Sequence, residues 1–485
     1  MTPRHYFDAL EGHDPAASAL WMGQARLGMG ALLRAVEQAR RRLRGVRVLA
    51  VLADNGPAWV CADLAALQAG VVHLPLPAFF SDAQLRHALV VAGADAIWTD
   101  QAARILALDL DFAVDDESEG LSCLRRSCAP SPLPAGTAKI SFTSGSTGTP
   151  KGACLEARGL LAAAAAVCDA MNRVQLGKHL AVLPLALLLE NVAGIYAPLL
   201  RGAAVELRPL QQLGWRGMAG FDPAALQLAA HGSGANSAIL VPELLKAWTL
   251  YLQATGTRAP QSLAYLAVGG AQVAQPLLEH ARALGLPAYQ GYGLTECGSV
   301  VSLNRPGDDG PGVGRPLHHL RVGVDADEIV IDGAPLLGYI GSESPAPGTS
   351  PLRTGDLGRI DADGHLHLDG RRSNLLVTSY GRNIAPEWVE SVLLSQPEIA
   401  QAVVFGDARA SLCALLVPYP NRRLTDLGLA LSRANGALPD YARIHAWIPV
   451  PPFSPDNGLA TGNGRPRRQH IHRHYADAIS ALYDN

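Results

Sequence analysis

The sequence predicts a multi-layer α/β protein. A large N-terminal domain of mixed and parallel sheets with helices (residues 1–370) is followed by a small α+β domain (residues 371–485). Three observations predict this. Short apolar runs alternate with Ala/Leu-rich helical patterns through the first 350 residues, which implies parallel strands covered by helices. The pattern restarts after Gly370. A chain of 485 residues exceeds what one ordinary core organises.

The elements follow in order. GVRVLAVLADN reads as a buried strand ending in a turn, and WVCADLAALQAG as a helix stopped by glycine. VVHLPLP is the next strand. SDAQLRHALVVAG is the next helix, with Ser81 as N-cap and Gly93 as stop. DAIWTD is another strand, and the alanine run 162–166 is helix. Near residue 322 the character changes: RVGVDADEIVIDG and HLHLDGR predict short strands with Asp-Gly turns. LLVTSYG, the helix PEWVESVLL with Pro386 in its first turn, and the strands QAVVFG and SLCALLVPY form the small domain.

Composition excludes several classes. Hydrophobic residues make up 48% and charged residues 17%, enough apolar material for a folded interior. A net charge of −3 gives no electrostatic footprint for nucleic acid. The seven cysteines include no CxxC pair, which points to a reducing compartment. The N-terminal residues lack a signal pattern, so a cytoplasmic location is expected. The most apolar stretch, AVLPLALLLENVAGIYAPLL, is broken by Pro184, Glu190 and Asn191, so no membrane span is expected.

The strongest local signal is SFTSGSTGTPKG, Ser141 to Gly152. An apolar strand feeds a loop dense in Gly, Ser and Thr that ends in Lys151. Glycines let backbone N–H groups approach a phosphate, hydroxyls donate to its oxygens, and the lysine adds charge. Pro150 before Lys151 separates it from the common nucleoside-triphosphatase loop. Read alone, it is equally a polar surface turn.

This loop resembles the phosphate loop of the acyl-adenylate-forming (AMP-binding) superfamily, and further stretches match in order. VLADNGPAWVCADLAALQAGVVHLPLPAFFSDAQLRHAL, AVGGAQV, YQGYGLTECG, PLRTGDLGRIDADGHLHLDGRRSNLLVTSYGRNIAPEWVE and FSPDNGLATGNGRPRRQHI span nearly the whole chain. They are most similar to long-chain acyl-CoA synthetases. The resemblance implies an acyl-CoA-synthetase-like fold whose small domain is mobile. It implies ATP- and Mg²⁺-dependent conversion of a carboxylic acid, fatty or similarly apolar, to acyl-AMP, followed by transfer to CoA. Loading of an acyl-carrier protein through its phosphopantetheine arm is the alternative within this class. A non-catalytic nucleotide- or acyl-binding relative is the alternative from another class.

By the same resemblance, Thr143, Ser144, Gly145, Ser146, Thr147, Gly148 and Lys151 cradle the β- and γ-phosphates, with Thr147 also near the metal. Gly269, Gly270 and Ala271 line the adenine, Tyr292 stacks on it beside Gly293, and Thr295 contacts the α-phosphate. Glu296 holds Mg²⁺, a hard cation that prefers carboxylate and phosphate oxygens. Asp356 accepts from the ribose hydroxyls, Arg371 adds a ribose or phosphate contact, and Ser373 stands at the hinge. Taken one at a time, Tyr292 is a core aromatic, Glu296 a helix-start residue and Asp356 a turn residue.

The chain departs from the family at several places. Arg465 stands where the family has a catalytic lysine, keeping charge but with a planar fork, and Arg467 or Arg468 are substitutes if the loop shifts. Tyr380 replaces a glycine of the thiol tunnel, next to Gly381 and Arg382. Leu187 replaces a histidine bordering the acyl pocket. Ser373 is neutral where the family hinge is charged. His470, His472 and His474 would share a face, and hence offer a metal site, only on a strand.

Overall fold

The structure, a computed structural model, describes residues 1–118, 120–143, 151–217, 220–341, 351–461 and 464–483. Among these residues two large sheets dominate. The eight-stranded sheet runs edge to edge through residues 336–339, 151–156, 137–143, 72–75, 48–52, 96–99, 121–125 and 113–118. Its centre is parallel: Val48–Leu52 pairs with both Val72–Pro75 and Ala96–Thr99. The nine-stranded sheet has a parallel run from Ala288–Tyr292 through 265–268, 237–240, 178–180 and 204–206 to Ser18–Met22. Parallel strands are covered on both faces, and Val48–Leu52 is accordingly buried at every residue.

Between the layers lies the helix Pro57–Ala69, buried from Trp59 through Leu67. A helix apolar on every side has no solvent face to offer, and this one sits in the main apolar cluster. It ends where Gly70 adopts φ 69°, the glycine stop read from sequence. The exception to its apolarity is Asp63, 1% exposed. Lys139 Nζ donates to Asp63 Oδ1 at 2.7 Å and to Tyr196 Oη at 3.0 Å, while His73 Nδ1 lies 2.6 Å from the same carboxylate oxygen. Asn191 Nδ2 donates to Asp63 Oδ2 at 2.7 Å, tying the stretch beside the nine-stranded sheet to the helix Pro57–Ala69.

That stretch is a π-helix, Glu190–Tyr196. The fully buried Glu190 accepts from Leu183 N at 2.9 Å and meets His179 Nε2 at 2.9 Å. Gly194 makes room for them: a Cβ there would lie 2.1 Å from Glu190 Oε1. No helix among the described residues is long and apolar enough to cross a membrane.

Helix Asp82–Val91 carries a full capping box, with Ser81 accepting from Gln84 N and the Gln84 side chain accepting from Ser81 N. The hairpin of Arg321–Asp325 and Glu328–Asp332 turns on Ala326 and Asp327, at φ 48° and 63°, and not on an Asp-Gly pair. Asp332–Gly333 instead closes the second strand, and Asp369–Gly370 lies inside strand Leu366–Arg371. Gly370 is needed there, because a Cβ would stand 2.3 Å from Ala385 Cβ. Only Leu376–Val377 of LLVTSYG is strand, and Thr378–Gly381 turns back with Gly381 N on Thr378 O at 2.8 Å.

From Leu376 onward the chain has its own interior. Helices Pro386–Leu394 and Leu424–Gly436 pack on one side of strands 399–405, 412–418 and 444–449, with Leu459, Ile471 and Ile479 on the other. Pro386 holds the first turn of its helix.

Candidate active site

The parallel strands Ser237–Leu240, Tyr265–Val268 and Ala288–Tyr292 end side by side. The carboxyl ends of such strands are where open α/β sheets bind ligands. A cavity of about 2200 Å³ opens there, between these ends and the C-terminal region. Gly269, Gly270 and Ala271 follow the second strand; Tyr292 ends the third, and Gly293, Thr295 and Glu296 follow it. All seven line the cavity, with Lys151, Asp356, Arg371, Ser373, Arg465 and Leu187.

One wall is a hydrogen-bonded set. Tyr292 Oη donates to Asp356 Oδ2 at 2.6 Å, and Arg371 Nε lies 2.7 Å from Asp356 Oδ1. Strand register accounts for the ion pair, because Asp356 and Arg371 are directly opposed on neighbouring strands. Burial raises the Asp356 pKa, opposed by Arg371 and Tyr292, and burial beside that carboxylate pushes the Tyr292 phenol up.

Thr295 and Glu296 begin a short 3₁₀ turn closed by Gly298 at φ 74°. Glu296 Oε1 accepts from Tyr339 Oη at 2.5 Å. Burial, then the Glu296 carboxylate, pushes the Tyr339 phenol up. Gly293 lines the cavity, but its identity has a packing cause: a Cβ would fall 1.5 Å from Ser299 O. Gly270 adopts φ 87°, and its carbonyl accepts from Arg465 Nη2.

Arg465 thus reaches the strand ends from the C-terminal region, on a loop held by Thr461 N to Arg465 O at 2.8 Å. Arg468 also lines the cavity, with its guanidinium bonded to Glu390 at 2.6 and 2.8 Å and to Val404 O at 2.6 Å. Ser373 lies in the 3₁₀ turn Arg372–Asn374. Lys151 opens strand Lys151–Glu156 opposite Thr143. Ser144, Gly145, Ser146, Thr147 and Gly148 lie outside the described residues, as does the side chain of Thr143.

Several sequence candidates, Arg467 among them, do not line the cavity. Tyr380 is 77% exposed on the surface turn Thr378–Arg382, Gly381 has open space beside it, and Arg382 lies over the Tyr441 ring at 5.6 Å. His470, His472 and His474 fall on the helix Arg468–His474, where alternate residues diverge, and no metal-binding group of three or more His, Cys, Asp or Glu occurs among the described residues.

Sequence reading missed several wall residues. Tyr339 arrives through pairing of Leu336–Tyr339 with Lys151–Glu156, a contact no local pattern announces. His179 and Ser237 line the cavity and meet at 3.0 Å, with Glu190 behind. Asn55, also lining it, donates to Leu183 O and accepts from Leu185 N, each at 2.9 Å.

A family pattern described as AMP-binding enzyme matches residues 11–346, and one described as AMP-binding enzyme C-terminal domain matches residues 373–485. A long-chain-fatty-acid–CoA ligase of Mycobacterium bovis is 30% identical over 247 residues, covering 44% of this chain and 41% of that one. A 2-succinylbenzoate–CoA ligase of Bacillus subtilis is 28% identical over 287 residues, 56% of each. The chain therefore spans about half the length of these curated relatives. Among solved structures, the O-succinylbenzoate CoA synthetase of Bacillus subtilis in complex with ATP and magnesium superposes with a TM-score of 0.73 at 23% identity, covering 96% of this chain and 98% of that one. At that identity the likeness shows the fold.

Proposed function

The chain belongs to the AMP-binding enzyme family, and on that premise we propose that it activates a carboxylic acid with ATP and transfers the acyl group to the thiol of CoA. The observation that carries this reading is the joined wall of Tyr292, Asp356 and Arg371, in one cavity with Glu296 and Arg465. The large domain spans 1–370 and the small mobile domain 371–485, with Ser373 at the hinge.

A carboxylate is a poor electrophile. Attack of its oxygen on the α-phosphorus of ATP breaks the α–β bridge, forms a mixed acyl–phosphate anhydride and releases pyrophosphate. Two anions must meet, so cationic donors have to face the phosphoryl oxygens. Arg465 holds its guanidinium at the Gly270 turn, from where it would serve both nucleotide and acid. Tyr292 offers its ring to the adenine, and Asp356 exchanges its internal donors for the ribose hydroxyls. Thr295 donates to the α-phosphate. Lys151, with the loop from Thr143 through Gly148, cradles the outer phosphates.

Glu296 suits Mg²⁺: Tyr339 fixes one carboxylate oxygen and the other is left for a hard cation that takes its remaining ligands from phosphates and water. By the family resemblance Thr147, outside the described residues, would be its second protein ligand. The ion, when bound, neutralises the charge of the departing pyrophosphate.

Leu187, Leu189, Ala193, Ala267 and Val300 give the remaining wall an apolar character, which supports a fatty or similarly apolar acid. After rotation of the small domain, Tyr380, Gly381 and Arg382 border the thiol's path. The seven cysteines stand outside disulfides, which supports a cytoplasmic setting.

The test is ATP–pyrophosphate exchange across a panel of aliphatic and aryl acids. Exchange with at least one apolar acid is expected, and CoA should then accelerate AMP release. Silence across the panel overturns the reading in favour of a binding protein. Exchange followed by acyl transfer to a carrier protein but not to CoA moves the acceptor and leaves adenylation standing.

A further inference from the structure

Lys246 is buried between the two domains. It sits on helix Pro242–Thr255, whose first residues, Pro242 and Glu243, line the cavity. One turn on, Lys246 is 6% exposed. Its Nζ donates to Gln396 O at 2.8 Å and to Ile399 O at 2.6 Å, and lies 5.2 Å from the centre of the Tyr419 ring. Gln396 lies in the turn after helix Pro386–Leu394, and Ile399 opens strand Ile399–Phe405 of the small domain. Tyr419 N bonds Glu398 O at 3.0 Å, so the aromatic platform and the turn move as one piece.

Burying an ammonium is costly, and an apolar residue would fill this space without that cost. Among the described residues Lys246 has no carboxylate within ion-pair distance, and Glu398 is engaged by Arg433 at 2.6 Å. What Lys246 gains is directional: two carbonyls and a ring face are met together in one relative position of the domains. That position is also the one in which Arg465 reaches Gly270.

We propose that Lys246 is a positioning residue for the adenylation step, clamping the small domain where Arg465 meets the Gly269–Ala271 turn. The assignment rests on the adenylation reading above. The clamp acts through Arg465 and touches neither nucleotide nor acid. Any withdrawal of the small domain breaks both bonds at once; a neutral amine keeps two N–H donors for the two carbonyls, so the clamp is strongest once the proton has left, and it favours the first half-reaction over the second.

The clamp also carries a proton signature. Desolvation pushes the Lys246 ammonium down to about 7 in the docked state, opposed by Glu398 and Glu243. The charged and titratable groups facing it are Glu243 on its own helix and Glu398, Arg433 and Tyr419 from the small domain. A lysine exposed by undocking keeps its proton to about pH 10. Docking therefore releases a proton above pH 7, and the docked fraction rises as pH rises from 7 toward 9.

The test uses the full chain with Lys246→Met, which keeps the length and removes the donors. Pyrophosphate exchange should fall ~10–100-fold. Thioester formation from supplied acyl-adenylate and CoA should stay within about twofold, because a conformational bias toward one half-reaction is relieved for the other. Small-angle scattering should show a larger radius for the variant, and a compaction of the wild type between pH 7 and 9 that the variant lacks. Equal loss in both half-reactions, or unchanged exchange with unchanged scattering, overturns the assignment. If the wild type activates no acid, the functional reading fails, and identical scattering of variant and wild type at both pH values would sink the clamp independently.

Discussion

The phenol of Tyr292 donates to Asp356 Oδ2 at 2.6 Å while the Arg371 guanidinium holds Oδ1 at 2.7 Å. Both carboxylate oxygens are thus engaged before a sugar arrives. A buried acceptor held this way is pre-aimed, and on the proposed reading ribose hydroxyls would replace donors of similar reach. Asp356→Asn substitutes a neutral group with a single acceptor oxygen. Hydrogen bonds to charged groups contribute about 1.5–3 kcal/mol, so KM for ATP should rise ~10–100-fold. Wild type should discriminate against 2′-deoxyATP and the variant should not. Equal discrimination by both proteins would mean the carboxylate does not read the ribose.

Tyr292→Phe separates the ring from its hydroxyl. The proposed stacking on adenine should survive, and Asp356 keeps Arg371. The expected change in KM for ATP is below about tenfold, the scale of one ordinary hydrogen bond, and clearly smaller than for Tyr292→Ala, which removes the stacking face as well. Steady-state kinetics of the two variants decide it. Equal losses would place the phenol, and not the ring, at the nucleotide.

The parts of the fold and site that could be read from sequence are those fixed locally. Strand Val48–Leu52 and helix Pro57–Ala69 follow from apolar runs and a glycine stop, and helix Asp82–Val91 from the Ser81 and Gln84 capping pair. Tyr292, Asp356 and Arg371 were legible as motif members, and strand register brings the last two together. What escaped depends on distant partners. The π-helix at Glu190 needs His179 and the bare Cα of Gly194. Tyr339 reaches Glu296 through the edge pairing of Leu336–Tyr339, and Lys246 finds its acceptors 150 and 153 residues away. The hairpin turn at Ala326–Asp327 hid because neither residue is a glycine.

The Asp63 centre is the structural counterpart of the site. Burial alone would raise the Asp63 carboxyl, but the charges of Lys139 and His73 and their bonds to it hold it far below the usual carboxylate range. Lys139→Met leaves a buried carboxylate with His73 and Asn191 as its remaining partners. Removing one member of such a pair costs about 3–5 kcal/mol. The urea midpoint of the large domain should fall accordingly, and Asp63→Asn combined with Lys139→Met should recover part of the loss. A single variant as stable as wild type would show that the pair contributes nothing to folding.

His319 sets an acid limit on stability. Burial, then the neighbouring His318, lowers its pKa from 6.5 to about 4, and neither ring nitrogen has a hydrogen-bond partner among the described residues. The native state therefore resists protonation while the unfolded chain accepts a proton below pH 6.5. The unfolded state binds more protons across that interval, so the contribution of His319 is fully present above 6.5 and is lost as pH falls toward 4. The shift corresponds to at most ~3.5 kcal/mol. His319→Leu removes the titration and the two unsatisfied nitrogens together. Its stability should match or exceed wild type at pH 7, and the advantage should widen at pH 5, as read by urea unfolding at both values. A difference that stays constant with pH would mean the ring is protonated as readily in the folded chain as in water.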